Sequence, residues 1–169
     1  LKLSKTIFKK YGYANVILVT NLFANVENLN NFLAGIKNLL EPTNGILVIE
    51  TFSLYGLVKN NLIDSIYHEH ISFFTVKTLE YSLKKHSMEI FYVSVNKSKG
   101  GSLQCFIQLK EGNKRISKTI QKVKSQEKRA KLSSYKTYQT LIQKNKKNKK
   151  YLLRILEKLK KDGKSISGY

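Results

Sequence analysis

The sequence predicts an α/β fold whose sheet begins as a parallel pair of strands and continues as an antiparallel hairpin. Two short runs of branched apolar residues, at 15–21 and 46–50, are typical of strands buried on both faces of a parallel sheet. The stretch between them repeats apolar residues at helical spacing, so strand, helix and strand form a crossover unit. Farther along, two alternating apolar runs flank a glycine pair and predict the hairpin.

The first elements follow from apolar spacing and from residues that stop helices. Residues 1–11 predict a helix that ends at Gly12. The helix between the two strands spans 27–40, and residues 42–45 form the turn before the second strand.

The middle of the chain predicts shorter elements. Residues 54–62 are a short helix or a loop, and Thr75 caps a helix that runs to His86. Residues 88–95 and 102–109 alternate as strands. The turn between them is Lys99-Gly100-Gly101, while Cys105 is expected in the core and His86 at the surface.

The composition changes at Glu111. We therefore predict a first domain over 1–110 and the beginning of a second over 111–169. The second region predicts Lys-rich helices at 114–130 and 132–161, and Asp162-Gly163 ends the latter. Residues 164–169 are expected to open another strand.

Charge and composition exclude some classes of protein and leave others open. The net charge is +20, and 19 of the 31 Lys and Arg residues lie in residues 111–169. So basic a region is compatible with nucleic-acid binding, but solvated helix faces have the same composition. No apolar run reaches the roughly 18 residues of a membrane span. A single cysteine forms no internal disulfide, which favours a reducing, cytoplasmic setting. The chain opens on Leu1, and we expect it to be a piece of a longer protein.

The strongest functional signal is a polar cluster inside an apolar stretch, residues 66–74. It contains Tyr67, His68, Glu69 and His70. A histidine in a partly dry pocket can accept a proton near neutral pH, and a neighbouring carboxylate or phenol can orient it or stabilise an oxyanion. Two other interpretations stay open: ordinary hydrogen-bonded polar residues, and a His-x-His pair of zinc ligands on one face of a strand.

Polar residues also follow both predicted parallel strands. Asn21 and Asn25 come after the first, and Glu50 and Thr51 close the second. In open parallel sheets, ligands bind beyond the carboxyl ends of the strands, although Asn21 is equally suited to capping a helix or forming a turn.

Four motifs, in this order and spacing, resemble those of the S-adenosylmethionine-dependent sugar C-methyltransferases. They are Asn21-Leu22-Phe23-Ala24-Asn25, Glu50-Thr51, Tyr67-His68-Glu69-His70 and Gly100-Gly101-Ser102-Leu103. The resemblance covers nearly the whole chain. It implies methylation of a ring carbon of a nucleotide-activated keto-sugar, with S-adenosyl-L-methionine as the methyl donor.

The resemblance also implies an architecture. This chain would be the second half of a Rossmann-like class I methyltransferase sheet, followed by the first helices of a substrate domain. The family's glycine-rich cofactor loop does not occur in this sequence, and zinc would be bound only by an amino-terminal domain outside it.

Residue roles carry over from the matching motifs. His70 would be the base, with Glu69 and Tyr67 as its partners, while Asn21, Leu22 and Phe23 would bind the cofactor. The residues expected at the substrate are Asn25, Glu50, His68, Ser72, Gly101 and Ser102. Asn25 and Gln104 depart from the residues that the family often has, so the sugar is less defined than the reaction class.

Two other functions are compatible with the sequence. One is a methyltransferase with a different acceptor on the same sheet, and the other is a non-catalytic basic module that binds RNA or an acidic partner. We expect a small-molecule nucleotide sugar as the partner, with no membrane and no nucleic acid.

Overall fold

The computed structural model describes residues 1–96 and 100–168. It divides into two compact units, Leu1–Leu132 and Ser133–Tyr169. Among the described residues, the first unit contains four strands and five α-helices. In chain order they are α1 Lys2–Tyr11, β1 Val16–Thr20, α2 Leu29–Leu39, β2 Ile46–Phe52, α3 Leu54–Asn60, α4 Val76–Lys84, β3 Met88–Asn96, β4 Ser102–Leu109 and α5 Thr119–Arg129.

The four strands form one mixed sheet in the order β1-β2-β4-β3. β1 and β2 are parallel, with Val16 opposite Ile46, whereas β4 is antiparallel to both β2 and β3. The predicted α/β class, the parallel pair and the antiparallel hairpin are therefore confirmed. Of the predicted hairpin turn, Lys99 lies outside the described residues.

The helix boundaries follow from the local sequence. α1 ends at Gly12, which has a φ of 74°, and the Asn28 side chain caps the start of α2. Thr75 and Thr78 form a reciprocal capping box at the start of α4, as the sequence predicted for Thr75.

One apolar core lies against a single face of the sheet. Its fully buried members include Leu33 from α2, Leu47 and Ile49 from β2, and Leu79 from α4. Cys105 on β4 is also fully buried, which confirms its predicted place in the core. Burial raises the pKa of its thiol, so the reactive thiolate is disfavoured.

The prediction that β1 is buried on both faces is wrong. Val19 is buried in the core, but Val16 and Leu18 are 58% and 67% exposed. These residues alternate along the strand and point to the opposite face, which the described residues leave uncovered there. An unbroken apolar run therefore marked a strand correctly but did not reveal how much of its surface is covered.

α5 belongs to the first unit, and its residues Ile120 and Val123 are part of the core of that unit. The compact unit thus extends to Leu132. A compact unit need not coincide with a domain of a family, and the boundary between 110 and 111 stays a prediction.

The second unit consists mainly of one helix, α6 Tyr135–Lys161, which ends at Asp162 as predicted. Gly163 follows with a φ of 71°. Residues 164–168 have no regular secondary structure, so the expected strand does not form in them. Within the described part of the chain, no helix is both long and apolar enough to span a membrane.

Candidate functional site

The polar cluster lies in an irregular loop between α3 and α4. The loop begins at Asn61, whose left-handed backbone ends α3, and continues through a 3₁₀ turn at Ile63–Ser65. A tight turn follows, in which the His70 backbone N–H donates to the Tyr67 carbonyl at 3.0 Å. His68 and Glu69 occupy the two central positions of this turn.

A single hydrogen bond defines which nitrogen of His70 is available for chemistry. The ring Nδ1 lies 2.6 Å from the Ser65 carbonyl oxygen. A carbonyl only accepts, so Nδ1 must carry the proton and donate it. In the neutral ring, Nε2 is then the basic nitrogen with a free lone pair.

Three aromatic rings surround the half-buried His70 imidazole. The centroids of Phe52 and Tyr67 lie 4.4 Å and 4.3 Å from it, and Phe73 lies at 6.0 Å. Since Phe52 is the last residue of β2, this packing places the histidine at the carboxyl end of that strand. The rings limit rotation of the imidazole and exclude part of the surrounding water.

Backbone hydrogen bonds hold the segment after His70 across the ends of both parallel strands. The Ser72 N–H donates to the Ala24 carbonyl at 3.0 Å, just beyond β1. The Leu54 N–H donates to the Phe74 carbonyl at 2.9 Å, just beyond β2. Ligands of open α/β sheets bind at this edge, so the loop lies where a site is expected.

The other members of the cluster face solvent. Tyr67 is 45% exposed, and His68 and Glu69 are also exposed. The pair of histidines lies in a turn and not on one face of a strand, which removes the geometry assumed for two zinc ligands. Among the described residues, no group of three or more His, Cys, Asp or Glu side chains is placed to hold a metal ion.

The residues after β1 divide between surface and core. Asn21, with a φ of 54°, and Leu22 are exposed. Phe23 is fully buried and packs against Phe74, with ring centroids 5.0 Å apart. The first two are accessible to a ligand, whereas the Phe23 side chain is a core residue; their cofactor roles stay predictions.

Two buried polar atoms stand out near the same edge. Asn25 Oδ1 and Thr51 Oγ1 have no hydrogen-bond partner within residues 1–96 and 100–168. Such atoms are costly to bury and are normally satisfied by a protein group, by water or by a ligand. Asn25 is the last residue of the 3₁₀ turn Phe23–Asn25 that comes after β1, and its side-chain oxygen is a candidate acceptor for a ligand hydroxyl.

Glu50 lies on β2 opposite Thr20 and Gln104. Alternation along the strand places it on the same face as Phe52, which contacts His70. Glu50 and His70 therefore lie at one end and on one face of β2, and the role of Glu50 in substrate binding stays a prediction.

The glycine pair has a clear structural role. Gly100 has a φ of +80°, and a β-carbon there would collide with the Leu62 side chain. Gly101 lies against Gly56 of α3, where a β-carbon would approach the Gly56 Cα to 3.3 Å. Ser102 is 3% exposed. These residues allow α3 to pack closely on the start of β4; their contact with substrate stays a prediction.

The sequence interpretation missed Phe52, Phe73 and Ser65. Ser65 acts through its backbone carbonyl, which no sequence pattern identifies. Phe52 lies two residues after Glu50 and Phe73 lies three residues after His70, and apolar residues so close to titratable ones were the available signal.

A mixed α/β sheet with a half-buried histidine at the carboxyl end of a parallel strand defines a class, the α/β proteins with a candidate ligand site at that edge of the sheet. Comparison with known families narrows this class. Residues 97–169 match the family described as C-methyltransferase C-terminal domain.

A curated relative gives the same result over a longer range. C-methyltransferase NovU from Streptomyces niveus is 24% identical to the chain over 168 residues, covering 99% of this chain and 40% of the relative. The chain thus spans about 40% of the length of the curated relative it matches. Residues 97–169 are thus similar to a C-methyltransferase C-terminal domain, and the whole chain is similar to part of a C-methyltransferase.

Proposed function

We propose that the chain is part of an S-adenosylmethionine-dependent enzyme that methylates a ring carbon of a nucleotide-activated keto-sugar. Similarity to a C-methyltransferase supports the transferase class. The strand order β1-β2-β4-β3, with one parallel pair followed by a hairpin, is consistent with the second half of a Rossmann-like sheet.

The observation that carries the proposal is the state of His70. Its Nδ1–H donates to the Ser65 carbonyl, which leaves Nε2 as an acceptor in a partly dry, aromatic pocket. Carbon methylation needs a carbon nucleophile, which forms when a base removes a proton beside a keto group. His70 Nε2 is that base, and the imidazolium it forms stays hydrogen-bonded through Nδ1.

Neighbouring residues complete the proposed reaction. The Tyr67 phenol donates a hydrogen bond to the keto oxygen, where negative charge develops as the proton leaves. Glu69 lies in the same turn and balances the charge of the imidazolium. Asn25 Oδ1, which has no hydrogen-bond partner among the described residues, accepts a hydrogen bond from a sugar hydroxyl.

The fit to the methyl donor can be judged at the end of β1. Asn21 and Leu22 are exposed there and would contact it, while the buried Phe23 would support it through packing or backbone. When bound, S-adenosylmethionine supplies an electrophilic methyl group. The chain's own residues orient the sugar and hold the proton removed from it.

Proton abstraction can be tested separately from methyl transfer. The full-length protein is incubated in D₂O with a nucleoside-diphosphate keto-sugar, and deuterium incorporation beside the keto group is followed by NMR. We expect His70→Ala to slow this exchange by about 10²–10⁴-fold, the usual contribution of a positioned general base.

His86→Ala is the matched control. This third histidine lies beyond α4, and its Nε2 is 3.4 Å from Asn30 Oδ1. The His86→Ala protein should incorporate deuterium into the keto-sugar at the wild-type rate. Exchange that persists unchanged in His70→Ala would remove His70 as the base.

A further inference from the structure

A buried carboxylate from α5 contacts the start of α4. Glu127 is 6% exposed, and it accepts a hydrogen bond from the Val76 backbone N–H at 2.9 Å. The Lys77 backbone N–H lies near the same carboxylate and favours its charged form. The contact joins residues 51 positions apart in the chain.

This contact completes the capping of α4. The first backbone N–H groups of a helix have no partner within it. The capping box satisfies Thr75 and Thr78 through two hydrogen bonds of 2.9 Å and 3.1 Å. Glu127 satisfies the Val76 N–H, which lies between them at the positive end of the helix dipole.

Packing alone does not account for a glutamate at this position. Burial raises the pKa of Glu127, and the nearby Glu80 carboxylate adds to the effect. An apolar residue of similar size would avoid the cost of burying a carboxyl group. The feature that glutamate adds is an oxygen that accepts hydrogen bonds.

Hydrogen bonds hold every second residue of the segment that leads from His70 to α4. Ser72 is bonded to Ala24, Phe74 to Leu54, and Val76 to Glu127. The first two hydrogen bonds join backbone atoms to backbone atoms. The third uses a side chain, so a substitution can remove it while leaving the rest of the loop unchanged.

We propose that Glu127 is a positioning residue, which fixes the carboxyl end of the His70 loop and thereby the place of the imidazole at the end of β2. This inference rests on the proposed function, in which His70 removes a proton from the keto-sugar. Glu127 belongs to the part of the chain that matches the C-methyltransferase C-terminal domain. This contact therefore ties that part to the segment that carries the base.

Three substitutions of Glu127 separate the effect of its hydrogen-bond acceptor from the effects of its charge and its volume. In the full-length protein, Glu127→Met keeps the volume and removes the acceptor, Glu127→Asp withdraws it by one methylene, and Glu127→Gln retains it. Amide hydrogen exchange over residues 66–77 reports the loop, and deuterium incorporation into the keto-sugar reports the base.

We expect Glu127→Met and Glu127→Asp to speed amide exchange over residues 66–77 by about tenfold or more. The same two variants should slow deuterium incorporation at saturating sugar by about tenfold or more with little change in KM, since a misplaced base loses rate and not affinity. Glu127→Gln should restore both quantities to near the wild-type values.

Glu80→Gln is the matched control. It removes the ion pair between Glu80 and Lys124, which also joins α4 to α5, but leaves the cap in place. It should change neither readout. Unchanged loop exchange in Glu127→Met and Glu127→Asp, or faster loop exchange with wild-type deuterium incorporation, would overturn the proposal.

Failure of the proposed function has a different signature. If His70→Ala leaves deuterium incorporation intact, His70 is not the base. Loop exchange in the Glu127 variants still reports whether the carboxylate fastens the loop.

Discussion

At the scale of single residues, position relative to the strand ends separates the site from its surroundings. His70 contacts Phe52, the last residue of β2, whereas the adjacent His68 faces solvent in a tight turn. Two histidines that are nearly equivalent in the sequence are therefore different in the structure. The hydrogen bond from His70 Nδ1 to the Ser65 carbonyl also leaves Nε2 of the neutral ring as the basic nitrogen.

Gly100 provides a prediction at this scale. We expect Gly100→Ala to lower the free energy of unfolding by more than about 1 kcal/mol, because the positive φ alone costs about this much. A β-carbon would add a collision with Leu62. Urea denaturation measures the change.

A double-mutant cycle with Leu62→Ala isolates the collision. In the Leu62→Ala background, Gly100→Ala should cost less, with a coupling of at least about 0.5 kcal/mol. Strictly additive effects would show that Leu62 adapts without cost.

At the scale of elements, the sequence predicted what depends on local patterns. Apolar spacing located α2 and α4, and the capping residues Asn28 and Thr75 stand at their starts. The alternating runs on either side of the glycine pair predicted the β3–β4 hairpin correctly. These features depend on residues within a few positions of one another.

The rest depends on contacts distant in the chain. The exposure of Leu18 depends on which elements cover β1, and the loop conformation around His70 depends on bonds to Ala24 and Leu54. The hydrogen bond between Val76 and Glu127 joins residues 51 positions apart. A single sequence contains no pattern that reports such pairings.

The connection between α2 and β2 gives a pH prediction. Glu41 accepts hydrogen bonds from the backbone N–H groups of Asn44, Thr43 and Gly45, and these lower its pKa. A lowered folded-state pKa adds stability that is present above the ordinary pKa of glutamate and is lost as pH falls through the folded value.

We therefore expect Glu41→Gln to lower the midpoint of thermal unfolding at pH 7 and to have a smaller effect at about pH 3, below the ordinary pKa of glutamate. Thermal denaturation followed by circular dichroism at the two pH values measures this. Glu89→Gln is a suitable comparison, since this carboxylate accepts from the Gln108 side chain and not from a backbone turn. An equal loss at both pH values would contradict the argument.

At the scale of the whole molecule, charge is distributed unevenly along the chain. The net charge is +20, and 19 of the 31 basic residues lie in residues 111–169. The family match over residues 97–169 covers the whole of this basic region, so these lysines lie in the part of the chain that is similar to a C-methyltransferase C-terminal domain. A solvated basic surface is consistent with this arrangement.

Salt dependence distinguishes such a surface from a dedicated nucleic-acid site. We expect any binding of the full-length protein to single-stranded RNA to weaken about 10³-fold or more between about 50 mM and 200 mM salt, as multiple phosphate contacts do. Gel shifts over this range measure it. Neutralising Lys146 and Lys147 together should lower the affinity for all RNA sequences alike. A strong sequence preference that survives at high salt would favour the alternative function of an RNA-binding module.

The buried thiol on β4 has a practical consequence. Cys105 is the single cysteine in the sequence and is fully enclosed between β2 and β3. A thiol reagent reaches it only when the middle of the sheet opens, so the rate of labelling measures how often that opening occurs in any variant. The chain therefore carries an intrinsic reporter of its own unfolding, and no engineered label is needed to follow it.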